Sequence, residues 1–401
     1  MKNLQLKVVC SVGIFAAMFS LSATAKSEVT VYGLLHVSLD HAWTTGATSG
    51  VPSSSATQVD PASYRGINRS TSRETSNSSR IGFRGTEDLD GGLQAFWQLE
   101  GSVDVTTGNG ALFTRNSGIG LSGSFGRMVI GNWDTPYKKL TTNFGGFGTP
   151  TAADGNIIGN PGFGVPASTT IAAPVGGPKD ASFDRRQGNS VVYWSPEWAG
   201  LSTNLAYSFG NDGVNVISGS ATVENGPWTL QYGYERHNNY FGLAQLGGAA
   251  TGPTNSSSRD TGHKLIAKYV NGNTTVMGVY ERLKYKNNDS TPARITMYER
   301  DAWLLVLFQK IGKGQLWVAY GKAKDGNCER AGGFDCSTNG LGATQKGIGY
   351  LYNLSKRTAV YAFYNKLSNG ASGRYSIAVP VVDNEPGATA QIISAGIVHR
   401  F

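Results

Sequence analysis

The sequence predicts an all-β chain rolled into a 16-stranded antiparallel transmembrane β-barrel. Three observations predict it: a rhythm of tight turns alternating with long polar loops, segments of strand length whose faces alternate, and the lack of a helix-length apolar run. Beyond the first residues the longest uninterrupted apolar run is 302–308, far short of the roughly 20 residues a helix needs to cross a bilayer.

The turns set the strand count. Clusters of Gly, Asn, Asp, Ser and Pro fall at 88–92, 123–126, 195–200, 225–227, 271–273, 312–314 and 353–356; these residues accept positive φ or close local hydrogen bonds. Each cluster is flanked on both sides by about ten residues rich in Val, Ile, Tyr, Trp and Thr, which suit a pleated surface. Seven turns join fourteen strands, and segments 29–43 and 390–401 add one at each end. Spread over sixteen strands, residues 26–401 give about 23 each, roughly ten in the bilayer and the rest in connections.

Alternation is sharpest at 79–85, where Ile81 and Phe83 share one face and Arg80, Gly82 and Arg84 the other. A soluble sandwich buries the apolar face and leaves the arginines in bulk water; a barrel turns the apolar face to lipid and the arginines to its lumen. At 315–321, Leu316, Val318 and Tyr320 are set against Gln315, Ala319 and Gly321, with Trp317 among the latter. Loop length decides between the two architectures. Loops of up to about fifty residues are uncommon in compact soluble domains, whereas a barrel with short periplasmic turns has long external loops.

Lys2 and Lys7, the apolar stretch 8–21, and small residues at Ala23 and Ala25 form a secretory signal expected to be cleaved after Ala25. Residues 26–401 are then one barrel domain. Charged residues are only 15% and glycines number 54, a composition that fits neither a disordered chain nor long helices. The net charge of +8 falls to +6 without Lys2 and Lys7, and no Lys/Arg run exceeds two, so nucleic acid is not an expected partner. Cys10 leaves with the signal. Cys328 and Cys336 are expected to close a small loop disulfide on the oxidising export route, with a metal site the weaker alternative because no histidine lies near.

Gly118, Gly120 and Gly123 spell G-x-G-x-x-G, but a turn and a strand follow where nucleotide binding needs a helix. The histidines at 36, 41, 237, 263 and 399 lack metal-ligand spacing, so no cofactor or metal is expected. No residue stands out as a nucleophile, and no enzyme is expected. A surface adhesin is the alternative from another class, with loops 44–77, 239–260 and 325–343 as its binding surface; a substrate-specific channel on the same barrel is another.

Two specific segments, the SRIGFRGTEDL run from Ser79 to Leu89 and the NLSKRT run from Asn353 to Thr358, stand with Val29-Thr30-Val31-Tyr32-Gly33, Gly120-Leu121-Ser122-Gly123 with Phe125-Gly126, and Val398-His399-Arg400-Phe401. In these the chain resembles the trimeric sixteen-stranded general porins of Gram-negative bacteria, in particular the beta-proteobacterial family. The resemblance implies an outer-membrane, water-filled channel for passive diffusion of small hydrophilic solutes and ions, embedded in outer-membrane lipid as a homotrimer. It also implies that Phe401, with Ile397, Ala395 and Ile393 at alternate positions, is an assembly signal, His399 being a polar exception.

A barrel this wide needs narrowing if it is to sieve solutes. The longest loop, 134–187, is the expected constriction, because the third external loop of the resembled porins folds into the channel. Its acids are Asp134, Asp154, Asp180 and Asp184, its bases Lys138, Lys139, Lys179, Arg185 and Arg186, so neither sign dominates and the wall must tip the balance. The resemblance places Arg80, Arg115 and Arg186 on the lumen, and alternation adds Arg84. Tyr137 and Lys138 are further expected lining residues, and the opposing loop acids are drawn from Asp154, Asp180 and Asp184. Arg115 shares parity with Ile119 and Leu121, which points it at lipid unless the strand bulges or starts later. The expected outcome is a mild anion preference.

Overall fold

The computed structural model describes residues 28–46, 69–140, 144–147, 151–154, 156–163, 181–211, 213–246, 256–377 and 386–401. The expected signal, with Lys179, Asp180 and the Gly176-Gly177-Pro178 run, lies outside these residues. Sixteen strands follow in chain order, three of them in two pieces. They are Glu28–Thr45, Arg69–Ser76 with Arg80–Asp88, Gln94–Asp104, Asn109–Ala111 with Ser117–Gly123, Gly126–Asp134 and Arg186–Trp194, then Leu201–Phe209, Asn215–Asn225, Trp228–Asn238, Ser258–Asn271 and Thr274–Asn287. Ile295–Ile311, Gly314–Ala323 with Asn327–Arg330, Ala343–Asn353, Thr358–Asn369 and Thr389–Arg400 complete the set.

Every strand pairs antiparallel with its chain neighbours, and the last pairs with the first from Leu34↔Arg400 to Thr45↔Thr389. Closure matters physically, because an open edge would leave backbone groups without partners in hydrocarbon. All seven expected tight turns connect consecutive strands. Among the described residues no helix is long and apolar enough to cross a membrane.

The pleat sorts side chains into two skins. In the first strand Val29, Val31, Leu35 and Leu39 point outward and are exposed, while His36, Ser38 and Asp40 point inward and are buried. Outward apolar residues continue around the wall with Ile119, Ile130, Leu205, Leu265, Leu305, Ile348, Ile393 and Ile397. Trp317 breaks the alternation for a reason now visible: it faces inward, and its Nε1 donates to Phe144 O at 2.7 Å. Phe401 sits against Gly33, where a Cβ would collide with its ring, and the two residues exchange backbone hydrogen bonds of 3.0 and 3.2 Å.

The second strand carries a bulge with a consequence for the channel. Register runs from Val37↔Ser76 to Leu34↔Arg80, advancing by one residue. Ser78 takes φ 56°, and the Ser79 hydroxyl stitches the gap, accepting from His36 N at 2.9 Å and donating to His36 O at 3.1 Å. One extra residue inverts the faces of everything after it. Arg80, Gly82 and Arg84 therefore face inward although Arg73 and Thr75, of opposite parity, do so before the break.

Cys328 and Cys336 are joined by a disulfide, which ties the second piece of the thirteenth strand to the connection that follows it on the long-loop side. Loop closure of this length stabilises by about 2–3 kcal/mol, confined to the connection. Reduction is therefore expected to raise protease cleavage around 327–343 while leaving single-channel conductance unchanged; a conductance loss on reduction would contradict the assignment.

Candidate functional site

The loop between the fifth and sixth strands turns into the barrel at a short helix, Pro136–Lys139, capped by Thr135, whose hydroxyl accepts from Lys138 N. Inward positions on the wall beneath it are glycine: a Cβ at Gly233 would meet Leu140, and one at Gly262 would meet Phe183 and Tyr137. The wall is thinned where the loop root docks.

Beyond the helix, described loop residues lie along the inner face of the tenth to fifteenth strands. Phe147 packs among Trp317, Tyr361 and Phe363, with ring centroids 5.0–5.6 Å away. Phe163 meets Tyr285 and Tyr298 edge-on at 5.5 and 5.4 Å. Wall side chains satisfy loop carbonyls: Gln345 donates to Asp154 O at 2.6 Å, and Asn365 donates to Ala152 O.

The anchor is Glu281 on the eleventh strand, fully buried. It accepts from Gly159 N at 2.8 Å, from Tyr137 Oη at 2.7 Å and from Arg300 at 2.8 Å, with Lys264 Nζ 3.7 Å away. Arg300 also donates to the carbonyls of Ile157 and Asn160. One buried carboxylate thus collects two cations, a phenol and a loop N–H, the satisfied arrangement that a buried charge requires. Burial, with the Glu281 carboxylate beside it, drives the Tyr137 phenol well above its ordinary range, so it stays protonated and donates.

Tyr137 is accordingly turned into the wall and fully buried, holding the loop instead of facing the bore. Asp154 is turned back onto its own loop, accepting from Gly145 N at 2.9 Å and Thr151 N at 2.6 Å. Burial pushes its carboxyl up to about 7, although those two backbone bonds favour the ionised form; Asp184 adds repulsion. The folded-state value lies above the ordinary carboxylate range, so the packed loop holds a proton that the released segment gives away. Docking is then strongest below about pH 4 and weakens as pH rises through the folded value. Open-channel current noise is expected to rise between pH 5 and pH 8, and Asp154→Asn to abolish the difference.

Across from this loop, the second to fourth strands carry a basic cluster. Glu100, inward on the third strand, accepts from Arg115 Nε at 2.6 Å and Tyr32 Oη at 3.0 Å, and lies 3.5 Å from Arg80. Arg84 lies over the Tyr32 ring, 5.1 Å from its centroid. Arg115 turns inward because the second piece of its strand begins only at Ser117, so the parity of Ile119 and Leu121 does not govern it. Asn116 links this cluster to the loop root: its amide donates to Asp134 at 3.0 Å and its oxygen accepts from Arg186 Nε at 2.6 Å. There Arg186 and Lys138 lie 2.8 and 3.4 Å from Asp134, and Lys138 lies 3.7 Å from Asp184.

The structure therefore brings Arg80, Arg84 and Arg115 together, places Arg186 and Lys138 one step away, and sets Tyr137 and Asp154 apart in the loop's own packing. Sequence reading missed Glu100, Asn116, and the Glu281, Lys264 and Arg300 anchor. A signal was present for the anchor: three charges stand at mid-strand, where only the inward face accepts them.

Comparison with known proteins agrees with this geometry. The family model described as Gram-negative porin matches residues 13–372. Outer membrane porin protein 32 of Delftia acidovorans is 27% identical over 343 residues, covering 81% of this chain and 85% of that protein. An outer membrane porin protein of Bordetella pertussis is 25% identical over 429 residues, covering 96% and 97%. Among solved structures, the anion-selective porin from Comamonas acidovorans superposes with TM-score 0.68 at 22% identity, over 94% of this chain and all of that one. A barrel that is sealed by pairing of its first and last strands and entered by one long loop agrees with that match, and the chain belongs to the Gram-negative porin family, outer-membrane channels for passive diffusion.

Proposed function

We propose that this porin prefers anions mildly over cations, and that residues 134–187 form its constriction. The observation carrying this reading is the basic cluster: Arg80 and Arg115 share a single carboxylate, Glu100, and Arg84 lies beside them over the Tyr32 ring. The loop root is closer to balance, since Asp134 and Asp184 face Lys138 and Arg186, and Asp154 faces its own backbone. An ion passing the cluster meets uncompensated positive charge at short range, in a space with less water to screen it than bulk solution.

The test is the reversal potential of single channels under a KCl gradient. Chloride passing more easily than potassium is the expected result; potassium preference would sink the arginine assignment and leave the channel itself standing. Other parts of the proposal are that the protein has no catalytic activity and that Phe401 serves as its assembly signal. Homotrimer formation belongs to it as well, supported by the charge-poor outward face of the first and third to fifth strands, where Leu39, Leu99, Ile119 and Ile130 are exposed. Chemical cross-linking in detergent is expected to give a ladder ending at three.

A further inference from the structure

The inner wall of the third to sixth strands carries an apolar strip. Phe96 of the third strand, Val129 of the fifth and Val192 of the sixth are buried, with Trp133 and Trp194 packed partly upon them. The strip belongs to the bore side of the pleat: Phe96 shares parity with Glu100, and Val129 is opposite in parity to the exposed, outward Met128 and Ile130. Glycine makes the room for it. A Cβ at Gly120 would collide with the Phe96 ring, and one at Gly118 with the Val129 side chain. A passive aqueous bore gains nothing from such a strip, because apolar surface facing water costs free energy.

Two arginines stand over it. The Arg127 guanidinium lies on the Phe96 ring, 3.7 Å from its centroid and 5.8 Å from that of Trp194; Trp194 and Trp133 meet edge-on at 5.8 Å. Arg84 is near enough for its charge to be felt at Arg127. Both arginines are exposed, and among the described residues neither has a carboxylate within ion-pair distance, whereas Arg80 and Arg115 share Glu100. Stacking occupies the face of a guanidinium and leaves its in-plane N–H groups free. Those are the groups that grip a carboxylate at two points. Arg84 follows Arg80 by four residues on the way to the turn at 88–92, and Arg127 comes directly after the turn at 123–126. The strip therefore lies on the periplasmic side of the Glu100 cluster, about 13 Å further along the wall.

We propose that Arg84, Arg127 and the tryptophan pair form a station in the bore for aromatic carboxylates, with the carboxylate on the free guanidinium edges and the ring against Trp133 and Trp194. Chloride or acetate uses the charge alone. An aromatic acid also covers indole surface that otherwise faces water, and ring pairing adds to what burial supplies. A neutral aromatic gains the ring contact and forgoes the arginines. This names a solute class for the anion-accepting bore proposed above and rests on that reading of its arginines.

The test records single channels in KCl with phenylacetate, acetate or phenylacetamide added, and reads the concentration of each that halves the current. Phenylacetate is expected to act at a concentration at least about tenfold below that of acetate or phenylacetamide. Arg127→Gln and Trp194→Leu are each expected to remove that advantage, and Trp194→Phe, which keeps a ring, to retain most of it. Equal action of phenylacetate and acetate on the natural channel, a comparison that needs no variant to fold, overturns the proposal. Equal action of phenylacetamide also overturns it, since charge would then play no part, as does an undiminished advantage in Trp194→Leu. The reversal potential in plain KCl separates this station from the ion preference. Potassium preference with the phenylacetate advantage intact would sink the preference and uphold the station; chloride preference without the advantage would do the reverse.

Discussion

Replacing Arg80, Arg84 and Arg115 together by Gln is expected to reverse the sign of the reversal potential under a KCl gradient. Glu100 would then be the charge left in the cluster. A unit charge at 4 Å in water acts with about 1 kcal/mol, less at greater distance and in salt. Three such charges removed shift the balance between chloride and potassium by about 1.4 kcal/mol, tenfold in permeability ratio. The reciprocal variant, Glu100→Gln, is expected to strengthen anion preference. It leaves Arg80 and Arg115 without their shared carboxylate, so the two arginines should splay apart and unitary conductance should rise with the larger opening. If the triple variant kept the natural ratio, ion preference would have to originate elsewhere in the bore.

Glu281→Ala is expected to release the long loop without opening the barrel. Removing the carboxylate leaves Lys264 and Arg300 buried beside each other, and deleting one partner of a buried ionic cluster costs about 3–5 kcal/mol. That loss falls on the contact between loop and wall, because the strands on either side remain paired by continuous ladders. Protease cleavage within 144–163 should increase, and single-channel records should gain closures and noise as the loop samples the bore. The double variant Glu281→Leu/Arg300→Met, which removes charge from both sides, should recover much of the lost order. A quiet Glu281→Ala channel with a protected loop would show that the aromatic contacts of Phe147 and Phe163 suffice as anchors.

Much of the fold was legible because a barrel's constraints are local. Turn residues cluster where the chain reverses, and a strand between lipid and water must alternate, so counting turns gives the number of strands. Arg80 and Arg84 were legible for the same reason, since their faces follow from Ile81 and Phe83. Contacts between residues far apart in the chain were not. Tyr137 meets Glu281 across 144 positions and Trp317 meets Phe144 across 173, and no local pattern announces either. Tyr137 was read as pore lining because it lies at the loop root; its burial depends on glycines at 233 and 262, whose bearing on the loop appears only once the strands are in register. Glu100 was overlooked because an acid among Gln98, Leu99 and Gly101 signals little until pairing sets it opposite Gly82.

The extra residue at Ser78 and Ser79 works as a phase shifter. Upstream of it the strand keeps one alternation and downstream the opposite one, so a single strand carries two independently written messages, one for each half of its height. If the same residues ran through this point without the bulge, the arginine-bearing half would rotate by one step, sending Ile81 and Phe83 into water and two guanidinium groups into hydrocarbon. Length variation within strands is therefore far more dangerous to this channel than length variation in its loops.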